Sequence, residues 1–238
     1  SSITREENGY SPIILVGREA NDETIAAIDR INPEEVCIVA SDAEISYNFG
    51  TLLKSKGYTI TRYSGRNRFE TANKIADLNG GNQYILVNSS SYADAISISS
   101  YAARQGISIL FTDGKTLDLA TNKKIMTASS VMIIGGTNSD SSQLENEIAK
   151  RTSVRRIEGK NRYETSVNIA KELFPESNTL VVANGEDFPD SLAGAPLAAY
   201  RNAPIILSSP TTLTQELSDY LNNNISYVVV LGGSSSVS

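Results

Sequence analysis

Two arginine–glutamate pairs occupy the same frame in this chain. Residues 65–71 read G-R-N-R-F-E-T and residues 159–165 read G-K-N-R-Y-E-T, so Arg68 matches Arg162 and Glu70 matches Glu164 at a constant offset (162 − 68 = 94). A glycine turn followed by these residues places the arginine and the glutamate in the first turn of a helix. There a carboxylate favours the positive end of the helix dipole, by about 0.3–1 kcal/mol. An arginine beside free N–H groups can bind an anion or pair with a carboxylate. The same residues have a purely structural use: features shared by two copies are those the fold demands, and Arg68 and Glu70 can equally join neighbouring units. Asp94 and Asp190 form a second matched pair, 96 residues apart. They read as first-turn helix acids. As catalysts of glycan cleavage they would need a partner carboxyl across one cleft, and no committed pair is visible. Gly135-Gly136 and Gly232-Gly233 follow apolar runs and read as tight turns; the chain has no G-x-G-x-x-G and no Walker lysine to make them a phosphate cradle. Ser139, Ser141, Ser142 and Ser234 to Ser236 around them read as polar loop residues.

Composition removes several function classes. There is no histidine, which excludes Ser-His and Cys-His nucleophile pairs and any His-ligated metal; no cofactor or metal is expected. The one cysteine, Cys37, lies in an apolar run and reads as a buried, inert thiol; with no second cysteine there is no internal disulfide. A formal charge of −6 argues against a general nucleic-acid binder. No apolar run is long enough to span a membrane. Ser1 to Thr4 is no signal peptide and reads as a mature start or the edge of a fragment.

The elements that must carry these residues follow one rhythm. After a polar, frayed start over 1–11, the patterning predicts strands at Pro12–Val16, Val36–Ala40 and Tyr58–Tyr63. Helices are expected over 21–31, capped by Asn21 or Asp22, and over Ser41–Lys56, stopped by Gly57. A helix from Arg68 to Leu78 then opens a second unit. It continues with strand Tyr84–Val87, an Ala/Ser-rich helix to Arg104, strand Ile107–Phe111, helix Leu117–Met126, strand Val131–Ile134, a polar helix over 140–150 and strand Val154–Ile157. From Arg162 the order recurs: a helix to Phe174, strand Leu180–Ala183, the Ala-rich F-P-D-S-L-A-G-A segment, a strand at A-P-I-I-L, helix Leu213–Leu221 and strand Val228–Leu231.

Further positions align between these stretches: Leu117 with Leu213, Gly135 with Gly232, and Ile13-Ile14-Leu15 with Ile109-Leu110-Phe111 and Ile205-Ile206-Leu207. The opening residues match only the second half of the pattern, and Ala40-Ser41 stand where the others have Gly-Gly. An internal repeat of this kind decides the architecture. Short continuous apolar strands alternating with helices predict parallel strands covered on both faces. The fold class expected is therefore α/β: tandem repeats of a small βα-type domain. The units are 1–61, with its N-terminal half missing or diverged, 62–153 and 154–238.

The pattern resembles the cell-wall-binding repeat 2 family of Gram-positive, notably clostridial, surface and S-layer proteins. G-x-N-R-[FY]-E-T-[AS]-x-x-I-A at 65–76 and 159–170 carries the resemblance. It is supported by [FY]-x-D-[AS]-[IL] at Tyr92 to Ile96 and Phe188 to Leu192, P-I-I-L at 204–207, and G-G-x-x-S at 135–139 and 232–236. The resemblance implies a three-lobed array around a pseudo-threefold axis, in an extracellular protein held non-covalently at the cell wall by an anionic wall polysaccharide. Other surface-layer proteins are further implied partners, and a separate effector region normally accompanies such modules. The polymer-binding residues it suggests are Arg66, Arg68, Glu70, Asp94, Lys160, Arg162, Glu164 and Asp190, with Arg62, Arg155 and Arg156 adding positive charge beside the motif turns. On this reading the chain is an anchor and not an enzyme. A carboxylate-dependent glycan hydrolase and a structural lattice domain without polymer affinity are the alternatives.

Overall fold

The structure, a computed structural model, describes residues 10–222, 225–233 and 237. Of the frayed start expected over 1–11, residues 1–9 lie outside the described residues, as do Ser234 to Ser236. Three separate, wholly parallel sheets organise the chain. The first pairs β1 (Glu35–Val39) with β2 (Thr59–Tyr63). The second runs β4 (Ser108–Thr112), β3 (Gln83–Asn88), β5 (Ser130–Ile134), β6 (Ser153–Ile157). The third runs β8 (Ile205–Ser208), β7 (Thr179–Asn184), β9 (Tyr227–Val230). Their central strands are buried on both faces, as Ile85, Leu86 and Val87 are in β3 and Leu180 and Val181 in β7, which is why they read as unbroken apolar runs.

Helices link the strands: α1 (Asp22–Ile31) and α2 (Tyr47–Ser55) in the first unit; α3 (Arg68–Asn79), α4 (Tyr92–Gln105), α5 (Leu119–Met126) and α6 (Ser142–Ala149) in the second; α7 (Arg162–Leu173), α8 (Pro189–Tyr200) and α9 (Gln215–Leu221) in the third. All but α4 and α8 start at a side-chain cap. Asn21, Ser46, Asn67, Asp118, Ser141, Asn161 and Thr214 each accept a backbone N–H of the following turn. The strands that lead into the two motifs, β2 and β6, complete the sheets ahead of them, in matching register: Ile38 lies opposite Arg62 and Ile133 opposite Arg156.

The second and third units share apolar core. The Ala/Ser-rich α4 lies across α7, α8 and β8. Its Ala93 and Ile96 pack with Val181, Ala195 and Ile205, while its Ile98 and Ala102 pack with Ile169 and Phe174. Small residues on α4 and α8 let the two helices approach closely.

Three expectations need correction. Pro12–Val16 forms no strand. Its counterparts β4 and β8 pair only with β3 and β7, and among the described residues the first unit has no such partner. The helix expected from Ser41 begins only at Tyr47. Ser41 gives both its N–H and its hydroxyl to the Glu44 carboxylate, and that local turn competes with helix until Ser46 caps it. Cys37 is exposed rather than buried: it lies on the face of β1 that nothing covers among the described residues.

Candidate functional site

The glycine that opens each motif is there for close approach. A Cβ on Gly65 would lie 2.5 Å from Glu70 Cβ and 2.6 Å from the Thr71 nitrogen, and one on Gly159 would lie 2.6 Å from the Glu164 carbonyl carbon. Neither glycine has a positive φ, so the turn is tight because the strand exit presses on the helix start. Asn67 Oδ1 then accepts the Glu70 N–H at 3.0 Å, and Asn161 Oδ1 the Glu164 N–H at 2.8 Å. The glutamates reach back: Glu70 Oε2 accepts the Arg66 N–H at 2.5 Å and Glu164 Oε2 the Lys160 N–H at 2.7 Å. This is a reciprocal cap displaced by one residue. The Arg66 N–H and then its guanidinium hold Glu70 below the ordinary carboxylate pKa. Thr71 completes the turn, its hydroxyl accepting the Gly65 N–H and donating to the Asn67 carbonyl. Glu70 and Glu164 thus close the helix start.

The arginines of the motif make matched contacts. Arg68 Nη1 donates to the Ser89 carbonyl at 2.7 Å, and Arg162 Nη1 to the carbonyl of Gly185, the counterpart of Ser89. Arg162 also donates to the Tyr92 hydroxyl at 2.9 Å and lies 5.4 Å from the centre of its ring. Tyr92 belongs to α4 of the second unit, so Arg162 joins two units, as the structural reading of the motif anticipated. Tyr92 and its repeat counterpart Phe188 meet at 6.0 Å between ring centres. Equivalent residues from two units in contact lie close to the axis that relates those units.

The basic residues divide into two groups. Arg62 and Arg156 reach back across the expected unit boundaries into the preceding unit: Arg62 donates to the carbonyls of Ala40, Ile45 and Ser46, and Arg156 to those of Gly135 and Asp140 and to Glu145. They staple the loop that follows β1 or β5, and Arg155 pairs with Glu172. The Arg66 side chain is 90% exposed although it pairs with Glu70, and Lys160 at the same repeat position is exposed.

Asp94 and Asp190 are not in equivalent surroundings. Asp190 is exposed in the first turn of α8. Asp94 is buried, accepts the Ser91 hydroxyl at 2.6 Å and sits beneath Gly135, where a Cβ would meet its Oδ2 at 2.7 Å; Gly135 also has φ +108°. Burial raises the Asp94 pKa, against the Ser91 bond and the charge of Arg162. On the same loop Asp140 is 0% exposed, and neither carboxylate oxygen has a hydrogen-bond partner. Burial, opposed chiefly by Arg156, pushes its pKa up to about 7. Nothing in the repeat pattern points to Asp140, whose counterpart in the first unit is Ile45. Nor did it mark Tyr92 as the acceptor for Arg162. The stapling role of Arg156 was foreshadowed by its repetition as Arg62. Among the described residues no group of three or more His, Cys, Asp or Glu is placed to hold a metal, and no helix is long and apolar enough to cross a membrane.

βα units fused through shared core, with two helix starts closed by the same turn, define a repeat-built module. The chain belongs to the Cell wall binding domain 2 (CWB2) family, whose model matches residues 62–145 and 156–238. It is 34% identical over 220 residues to N-acetylmuramoyl-L-alanine amidase LytC of Bacillus subtilis (strain 168), covering 91% of this chain and 44% of LytC. It is 33% identical over 214 residues to the Amidase enhancer of the same organism, covering 89% of this chain and 29% of that protein. Among solved structures it resembles Cwp8 from Clostridium difficile (TM-score 0.83, 26% identity, 94% of this chain and 41% of that one). It also resembles Cwp6 from Clostridium difficile (TM-score 0.84, 26% identity, 92% and 37%). The chain spans less than half the length of each of these proteins. Its place is with the wall-binding modules of cell-wall and surface proteins.

Proposed function

We propose that this module anchors a protein to the wall by binding an anionic wall polysaccharide, through exposed cations on the motif turns of units 62–153 and 154–238. The observation that carries this reading is the repeat-equivalent placement of Arg66 and Lys160. The backbone N–H of each is consumed by the helix cap, while the side chain is exposed. The fold therefore uses the backbone of these positions and leaves the charge outward. Arg68 and Arg162 stand two residues further on and hold the neighbouring loops, adding positive potential to the same turns. An overall charge of −6 does not oppose this, because exposed charges beyond about 8 Å are largely screened at physiological salt. Glu70 and Glu164 serve by closing the motif turns, while Asp94 lies buried beneath Gly135 and Asp190 is exposed in the first turn of α8.

The test is co-sedimentation with purified walls. Arg66→Glu combined with Lys160→Glu should weaken retention at least tenfold with little change in thermal stability, and walls stripped of anionic glycan should retain neither protein. Parent retention should fall as salt rises. Undiminished retention of the double variant would refute the reading, and soluble sugar released during incubation would favour the hydrolase instead.

A further inference from the structure

One loop position is filled differently in each unit, and only once by an ionisable group. Ile45, Asp140 and Val237 are repeat counterparts (140 − 45 = 95; 237 − 140 = 97). Each closes the same backbone turn with its N–H. Ile45 donates to the Ser41 carbonyl at 3.0 Å, Asp140 to that of Gly136 at 3.0 Å, and Val237 to that of Gly233 at 3.1 Å. Ile45 packs against the apolar core of the first unit, and Val237 against that of the third. The second unit puts a carboxyl in this apolar place. It is 0% exposed, and neither of its oxygens has a hydrogen-bond partner.

The charges that face Asp140 come from three elements. Arg156 of β6 attracts its carboxylate, Asp94 of α4 and Asp113 of the loop after β4 repel it, and the Asn88 backbone N–H at the end of β3 adds a lesser attraction. Arg156 is already engaged. It donates to the Gly135 and Asp140 carbonyls at 2.6 and 2.8 Å, and its ion pair is with Glu145 of α6. Burial therefore prevails, and the Asp140 pKa is pushed up to about 7. The smallest rearrangement that relieves an isolated buried carboxylate is local opening of its own loop, short of unfolding the sheet.

That loop supports the motif turn of the third unit. The Gly135 N–H donates to the Ile157 carbonyl at 3.0 Å. Gly136 lies against the turn itself: a Cβ there would be 3.5 Å from Glu158 Oε2 and 3.8 Å from the Gly159 carbonyl oxygen. Lys160 is the next residue. On its other side the loop is held by Asn88 Nδ2, which donates to the Ser139 carbonyl at 2.5 Å, and by the Ser141 N–H, which donates to the Gly114 carbonyl at 2.8 Å. We propose that Asp140 is a pH-sensitive latch: protonated, it keeps residues 135–141 packed against the turn at 158–160; ionised, it releases that loop and loosens the turn's hold on the wall. The wall half of this inference rests on the anchoring role proposed above for Lys160. The pKa is raised in the folded state, so the latch is closed in acid and is lost as pH rises through about 7. The turn bearing Arg66 is supported by a loop with Ile45 in this place and has no such dependence.

Asp140→Val gives the second unit the residue of the third and is the reference. Hydrogen exchange on the full chain at pH 5.5 and 8.5, corrected for the intrinsic pH dependence of exchange, reads the latch. Protection of residues 136–141 and 157–160 should fall about tenfold or more in the parent over this range, with no such fall at residues 41–46 or in Asp140→Val. Co-sedimentation with purified walls reads the consequence. The ratio of variant to parent retention should rise about threefold or more from pH 5.5 to 8.5, and taking the ratio cancels titration of the wall itself. Unchanged protection in the parent, or an equal fall in the variant, would overturn the latch. A constant retention ratio while the loop opens would overturn its coupling to the wall. Failure of both proteins to bind walls at pH 5.5 would deny the anchoring reading instead, and exchange alone then decides the latch.

Discussion

Replacing Asp140 by asparagine should stabilise the protein, by an amount that grows with pH. The carboxyl is fully enclosed and without a hydrogen-bond partner, and its pKa rises from 3.8 to about 7 chiefly because burial penalises the charged form. Below about pH 4 the folded and unfolded chains both hold the proton, and the site costs nothing. Between about pH 4 and 7 the unfolded chain has released a proton that the folded chain retains. Stability therefore falls as pH rises, at about 1.4 kcal/mol per pH unit. Above about pH 7 both states are ionised and the loss levels off, at about 4 kcal/mol for a shift of roughly three units. Asp140→Asn removes the ionisation. The new amide must find partners of its own, so the gain over the parent at pH 8 is about 2–4 kcal/mol and falls towards zero near pH 4. For a chain of this size that corresponds to about 5–10 °C in melting temperature. Urea unfolding of parent and variant at pH 4.5, 6, 7 and 8 measures it. A stability difference that stays constant over this range would mean that the carboxyl is ionised throughout, and the argument from its isolation would fail.

Other outcomes follow from the same geometry. Gly65→Ala and Gly159→Ala drive a methyl group into the backbone at each helix start; each should cost about 2–4 kcal/mol in urea unfolding, more than a glycine with open space around it would. Asn161→Ala removes the cap of α7 and should cost about 1 kcal/mol in the same assay. A double-mutant cycle on Arg162→Met and Tyr92→Leu should give a coupling energy of about 0.5–2 kcal/mol, and no coupling would deny that the pair joins the units. Arg156→Met leaves the Gly135 and Asp140 carbonyls and Glu145 without their donor. It should cost about 2–4 kcal/mol in urea unfolding and increase amide exchange over residues 135–141.

The βα rhythm was legible because each strand and helix carries its own signal and the repeat lets one copy confirm another. Ile85 to Val87 and Leu180 to Ala183 are buried on both faces and read as such in either unit. What sequence could not show is the presence or absence of a neighbour. Ile13-Ile14-Leu15 has the same apolar character as Ile205-Ile206-Leu207, but strand structure belongs to a pair of segments. Cys37 follows from the same cause. An apolar run implies burial only if something covers both faces, and the covering layer over β5 has no counterpart over β1 among the described residues. The motif residues mark a further limit. Glu70 and Arg68 stand together in one short frame that marks both as candidate ligand contacts, yet the glutamate closes a helix cap and the arginine holds a loop carbonyl. Repetition identifies what every unit must contain. It favours structural roles over contacts made once, and so the position that repeats only in charge, Arg66 with Lys160, is the one we propose for contact with a charged polymer.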